Sequence, residues 1–149
     1  MSITFLSKFM RLAQDITGAE RAMVTDANLA ILATVNLEQA DLMSPQFNGI
    51  EIIRQALDNG EPIITNNAVI DPRRAPVTNT NVSNLRVVVV IPVEEMGAVY
   101  LDQHIRRGVI PKDVVDRLWM LAEHIADSGK LEHSEDELQT LYQRIGDKG

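Results

Sequence analysis

Residues 85–101 read LRVVVVIPVEEMGAVYL and decide the fold. The first nine, 85–93, are apolar throughout apart from the arginine in second place, which is typical of a strand covered on both faces of a sheet. Two glutamates interrupt the apolar residues, and a second apolar run covers 96–101. Two strands joined by so short a turn predict an antiparallel hairpin. Because an exposed strand of this composition would aggregate, we place 85–93 inside the sheet.

Hydrophobic periodicity places further elements on both sides of this hairpin. Apolar residues at three- and four-residue steps predict helices that begin near residues 3, 48, 111 and 134. Shorter β-rich runs predict strands at 21–26, 29–36 and 62–66. Loops are expected at 37–47, 78–84 and 102–110, and a short helix at Asp71-Pro72. This order lacks strict βαβ alternation, so it predicts an α+β fold with an antiparallel sheet of about five strands.

Composition limits the classes of function. The chain has 149 residues, which fits one globular domain, and 14 lysines and arginines against 21 acidic residues give a net charge of −7. That balance disfavours nucleic acid and anionic membrane surfaces as partners. The longest apolar run, 87–93, is far shorter than the roughly 20 residues of a membrane-spanning helix. The first residues do not resemble a secretory signal, so we expect a cytoplasmic protein.

No catalytic constellation is readable. The sequence has no cysteine, which removes thiol nucleophiles and thiolate metal sites. It also lacks a nucleophile elbow, a phosphate loop and a dinucleotide fingerprint. His104, His124 and His133 do not share the spacing of a zinc site, and the acidic residues of 132–137 suit a helix N-terminus. We therefore expect neither an enzyme nor a metal site.

Four segments, taken in order and spacing, resemble the GAF domain, a small sensory module related in fold to PAS domains. They are TGAERA at 17–22, GEPIITNN at 60–67 with DPR at 71–73, RVVVVIPV at 86–93, and MGAVYLD at 96–102. The turn at Glu94-Glu95 is shorter than the family's usual hairpin, and the link 37–47 is compact. The resemblance implies a GAF-like sensory domain over 1–129, with 130–149 as a C-terminal connector helix. It also implies a short helix and loop on one sheet face and terminal helices on the other.

What the resemblance implies about function is a regulatory module of a signal-transduction or transcription-control protein. Such domains bind a small molecule between one sheet face and its covering loops, and relay the signal through terminal helices. The implied ligand pocket falls on polar side chains that offer amide groups or an arginine clamp for an anion. These are Asn67, Asp71, Arg73, Arg74, Asn79 and Asn81. The same residues also suit a loop in which they satisfy turn backbone or face solvent.

The ligand or cofactor is not identified by the sequence. Covalent bilin is excluded because there is no cysteine, and a methionine-sulfoxide reductase of this fold is excluded for the same reason. Cyclic nucleotide is disfavoured because the family's Asn-Lys, Phe and Asp-Glu signature is missing. Asn66 is followed by Asn67 instead of lysine.

The terminal helices are expected to form a homodimer. An isolated helix of about twelve residues is marginal in water, and the helix after Ser134 has no obvious sheet left to cover. The predicted interface residues are Phe5, Phe9, Leu138, Leu141, Tyr142 and Ile145. Packing onto the chain's own core is the other interpretation. The alternative function is a ligand-free dimerisation or interaction module. A pocket of about 300 Å³ or more with convergent polar groups favours a sensor, and a filled core favours the alternative.

Overall fold

The computed structural model describes residues 2–43, 49–69, 85–104, 107–129 and 132–148. The helices in this part are α1 Ser2–Thr17, α2 Gln39–Met43, α3 Gly49–Asn59, α4 Lys112–Ser128 and α5 Glu135–Lys148. The strands are β1 Arg21–Asp26, β2 Ile31–Val35, β3 Ile63–Val69, β4 Leu85–Val93 and β5 Gly97–His104. The α+β class is confirmed.

The five strands form one sheet in the order β2-β1-β5-β4-β3. Every neighbouring pair is antiparallel. The hairpin expected from residues 85–101 is present, with Val93 opposite Gly97 at its turn and Arg86 opposite His104 at its open end. β4 lies between β5 and β3, so its predicted interior position is confirmed.

Strand β4 supplies side chains to both faces of the sheet, as its unbroken apolar sequence predicts. Val87, Val89 and Ile91 are buried in a core shared with α1, α4 and α5. Val88 and Val90 are buried in a second core, on the side of α3. Each fully buried valine or isoleucine contributes about 1.5–3 kcal/mol relative to an exposed one. The two cores give a three-layer domain in which the terminal helices lie on one face of the sheet, as expected, and α3 lies on the other.

Helix α5 docks within the chain, on α1 and α4. Leu138 is buried in the core of the terminal helices. The Arg117 guanidinium lies 5.2 Å from the centroid of the Tyr142 ring, and Lys8 Nζ donates to the carbonyl oxygen of His133 at 2.9 Å. Of the two interpretations that the sequence left open, packing on the chain's own core accounts for this apolar stripe, which lies against α1 and α4 beside the sheet.

Two stretches predicted as loops contain regular structure. The link 37–47 includes α2, whose Leu42 packs against the α3-side core. Strand β5 continues to His104, where a polar loop was expected from 102 onward. Asp102 and Gln103 are polar but buried. Asp102 accepts from Arg21, 81 residues away, and Gln103 Nε2 donates to the Gly108 carbonyl at 2.7 Å. Local polarity therefore misled the interpretation.

A reciprocal side-chain cap opens helix α5. The predicted capping box forms at the start of α5: the Ser134 N–H donates to Glu137 Oε1 at 2.9 Å, and the Glu137 N–H donates to Ser134 Oγ at 3.1 Å.

At the start of β5, a Cβ on Gly97 would lie 1.9 Å from the carbonyl oxygen of Thr25. Only glycine lets β1 and β5 approach this closely.

Candidate functional site

A buried ion pair joins the first residue of β1 to the far end of β5. Arg21 Nε and Nη2 donate to Asp102 Oδ1 and Oδ2 at 2.8 and 2.7 Å, a bidentate arrangement. The pairing of the strands sets the two residues directly opposite each other. The Asp102 side chain is fully buried and that of Arg21 is 15% exposed. Such a geometry gives the strong form of the arginine–carboxylate interaction.

Tyr100 completes this site, since its hydroxyl also donates to Asp102 Oδ2. Alternation along the strands places Tyr100, Asp102 and Arg21 on the sheet face that carries Met23 and α3. We call these three residues the Asp102 cluster. It is a charged group within an otherwise apolar layer, and removing one partner would leave the other buried charge uncompensated.

Hydrogen bonds join the end of β5, next to the Asp102 cluster, to the segment that follows α1. The segment that links α1 to β1 makes two further contacts with the end of β5 and the residues after it. Glu20 Oε1 accepts a hydrogen bond from the His104 N–H at 2.6 Å, and Arg107 Nη2 donates to the Gly18 carbonyl at 3.3 Å. These two hydrogen bonds connect the end of β5 and the residues after it to the segment that follows α1.

The predicted ligand-pocket residues are not described by the structure. Asp71, Arg73, Arg74, Asn79 and Asn81 lie outside the described residues, as does the side chain of Asn67. The expected short helix at Asp71 lies there too.

The strands flanking this segment locate its two ends. β3 ends opposite the start of β4, with Val69 paired to Leu85. Val88 pairs with Asp102 a few residues further along β4. The chain thus leaves and rejoins the sheet at the end that carries the Asp102 cluster.

The Asp102 cluster itself was not predicted. Arg21 and Asp102 are 81 residues apart, and no local pattern pairs them. The available signal was Asp102 at the end of an apolar strand, within a segment that resembles the GAF domain. A carboxylate in that position needs a partner if the strand continues past it.

The predicted dimer-interface residues are largely enclosed by the chain itself. Phe5 and Phe9 stack at 5.9 Å between ring centroids and are buried. Leu138 and Tyr142 are buried beside them, while Leu141 and Ile145 are partly buried against the same core. A partner docking on α1 or α5 would have to contact other faces of these helices. The homodimer itself stays a prediction.

The histidines do not come together. His104 lies at the end of β5, His124 is exposed on α4, and His133 precedes α5. Among the described residues, no three His, Asp or Glu side chains are grouped so that they could hold a metal ion. Within that same part of the chain, no helix has the length and apolar character needed to cross a bilayer.

Several clefts open on the described surface. One of about 280 Å³ lies between the end of α3, the β4–β5 turn and α4. A second of about 320 Å³ runs along α5, and a third of about 260 Å³ lies between the β1–β2 turn and α3. The layer between α3 and the sheet is filled by apolar side chains, including Met23, Ile53 and Val90.

Comparison with known proteins supports the fold. No family model matches the sequence, and no curated protein matches it. The structure is similar to the crystal structure of the GAF domain/HD domain protein from Geobacter sulfurreducens, with a TM-score of 0.58 at 11% identity over 97% of this chain and 94% of that one. The fold is GAF-like.

A second similar structure is Myxococcus xanthus MglB, with a TM-score of 0.43 and 12% identity over 94% of this chain and 91% of that chain.

Proposed function

We propose that the chain is a non-catalytic regulatory domain that binds a small molecule on the α3 side of its sheet and relays binding through α1 and α5. Two observations support this. The fold resembles that of a GAF domain/HD domain protein. The buried Asp102 cluster lies on the sheet face opposite the terminal helices. The proposal rests mainly on this second observation.

A purely structural role accounts poorly for the Asp102 cluster. Taking a carboxylate and a guanidinium out of water costs several kcal/mol per ion, and well-packed apolar residues often hold such positions equally well or better. A charged pair whose arginine remains 15% exposed is instead suited to exchange partners. A ligand that carries a carboxylate or phosphate would compete with Asp102 for Arg21, because arginine binds both groups in the same bidentate geometry.

The relay follows from the contacts around the cluster. An anionic ligand that binds Arg21 would break its pairing with Asp102. The start of β1 would then shift relative to β5, and Glu20 and Gly18 would move with it. That change reaches the end of α1, on which α5 packs. The ligand acts only to the extent that it binds the two arrangements of these helices with different affinity.

The second candidate is a ligand-free dimerisation or interaction module of the same fold. The filled layer between α3 and the sheet favours it, since a sensor needs space for its ligand. The two functions differ in whether an anionic metabolite binds near Arg21.

A thermal-shift series tests the proposal. The wild type is screened against di- and tricarboxylates, nucleoside monophosphates and amino acids, beside a variant carrying Arg21→Met, Tyr100→Phe and Asp102→Val. This apolar triple variant removes the charges with their partners, so that no buried charge remains alone. A matched control, Arg54→Met with Glu51→Leu, removes the exposed ion pair of α3.

We expect at least one anionic compound to raise the Tm of the wild type and of the control but not of the apolar triple variant. If no compound acts on the wild type, or if one acts equally on all three proteins, the Asp102 cluster is not the ligand site.

A further inference from the structure

The cleft beside the β4–β5 turn lies at the opposite end of the sheet from the Asp102 cluster. Asp102 is five residues along β5 from Gly97, or about 17 Å at 3.4 Å per residue. The walls of the cleft are apolar: Leu57 at the end of α3, and Pro92 and Val93 at the end of β4. The cleft is therefore a feature separate from the proposed sensor site.

Trp119 supplies the aromatic wall of this cleft. Its side chain is half-buried: it packs against the core of the terminal helices and also lines the cleft. It is the single tryptophan of the chain. Among the aromatic side chains, tryptophan attracts a cation placed over its ring most strongly.

The rim of the cleft is acidic. Glu94 and Glu95 come from the turn, which is closed by a hydrogen bond from the Met96 N–H to the Val93 carbonyl at 2.9 Å. Glu123 comes from α4 and lies one helical turn from Trp119. Within the residues that the structure describes, these three carboxylates form no ion pair or side-chain hydrogen bond. An apolar groove with an aromatic wall and three unpaired carboxylates is complementary to an apolar stem that ends in a cation.

We propose that this cleft docks an arginine side chain presented by a partner polypeptide. A guanidinium is planar, so it stacks on an indole while its N–H groups donate to carboxylates at the rim. Its three methylenes and a neighbouring apolar residue suit the contacts offered by Leu57 and Pro92. At about 280 Å³ the cleft is at the lower limit for a small-molecule site, which favours one anchoring side chain over a whole metabolite.

Trp119 makes the test direct, because it lines the cleft and is the single tryptophan of the chain. The full chain is titrated with the peptide acetyl-Gly-Leu-Arg-Gly-amide and with the same peptide carrying glutamine in place of arginine. We expect a saturable change in indole emission with the arginine peptide, and at least tenfold weaker binding of the glutamine peptide. The titration extends to about 5 mM, where a site of millimolar affinity is mostly filled.

Two variants distinguish binding of the peptide in the cleft from a general attraction of the peptide to the negatively charged protein. Glu123→Gln removes a rim carboxylate and is expected to weaken binding about tenfold, the loss typical of one charge-assisted hydrogen bond. Asp127→Asn removes the same charge one turn further along α4, outside the cleft, and is expected to change binding less than twofold. Circular dichroism confirms that both variants remain folded.

Each of the other outcomes overturns the proposal. No saturation by 5 mM means that the cleft does not hold arginine at about millimolar affinity. Equal weakening by both variants means that the peptide responds only to net charge. If arginine amide binds as tightly as the peptide, the cleft takes a free organic cation instead of a polypeptide. If the emission changes with protein concentration alone, a second copy of the chain covers the cleft.

Discussion

Replacing Arg21 by methionine is the sharpest perturbation of the Asp102 cluster. Asp102 is fully buried and would lose two charge-assisted hydrogen bonds of 2.8 and 2.7 Å. Removing one partner of a buried ion pair costs about 3–5 kcal/mol, because the remaining charge stays in a poorly hydrated site. A domain of this size has about 5–15 kcal/mol of stability in total. We therefore expect Arg21→Met to remove roughly a fifth or more of the free energy of unfolding.

The apolar triple variant should recover most of this loss, since it also removes the stranded carboxylate and the Tyr100 hydroxyl. We expect its free energy of unfolding to lie within about 2 kcal/mol of the wild type. Urea unfolding followed by circular dichroism gives the free energy of unfolding of the wild type, Arg21→Met and the triple variant. Comparison of their m-values checks the two-state treatment. The control Arg54→Met breaks an exposed pair and should cost no more than about 1 kcal/mol. The reasoning is refuted if Arg21→Met costs no more than Arg54→Met, or if the triple variant is as unstable as Arg21→Met.

Three further predictions address packing and local structure. Leu138→Ala should cost about 2–5 kcal/mol in urea unfolding, because Leu138 is buried between α5 and the other terminal helices. Exposed Gln139→Ala on the same helix should stay within about 0.5 kcal/mol, and equal effects would mean that α5 does not dock within the chain. Gly97→Ala should cost at least about 1–3 kcal/mol, since its Cβ would meet the Thr25 carbonyl at 1.9 Å; an unchanged Tm would contradict the close approach of β1 and β5. Ser134→Ala should cost about 1 kcal/mol through loss of the capping box, and a helix content and stability equal to wild type would show that the cap contributes nothing.

Features that depend on neighbouring residues were predictable from the sequence. The unbroken apolar run of β4 required burial on both faces, and the structure places its alternate valines in two cores. Ser134 and Glu137 formed the expected reciprocal cap because both bonds lie within one helical turn. The antiparallel hairpin followed from the length of its turn.

Features that depend on distant residues were missed. Asp102 was assigned to a loop because it is charged, and only the pairing of β1 with β5 supplies Arg21 to compensate it. For the apolar stripe of α5, the sequence left a partner subunit and the chain's own core as alternatives. The seam between α1 and α4 is created by tertiary packing and cannot be read from the pattern of either helix. The cleft at Trp119 likewise combines α3, a turn and α4.

Native mass spectrometry of the chain purified without added ligand tests the central proposal most directly, because it reports subunit number and any retained small molecule together. The proposal of a sensory domain predicts a defined extra mass on the wild-type protein that is absent from the apolar triple variant, whatever the subunit number. Three results together would contradict the sensory function. The wild-type spectrum would show no adduct, the wild type and the triple variant would have the same oligomeric state, and no added anionic compound would produce an adduct. That outcome would favour the alternative proposal, a ligand-free interaction module.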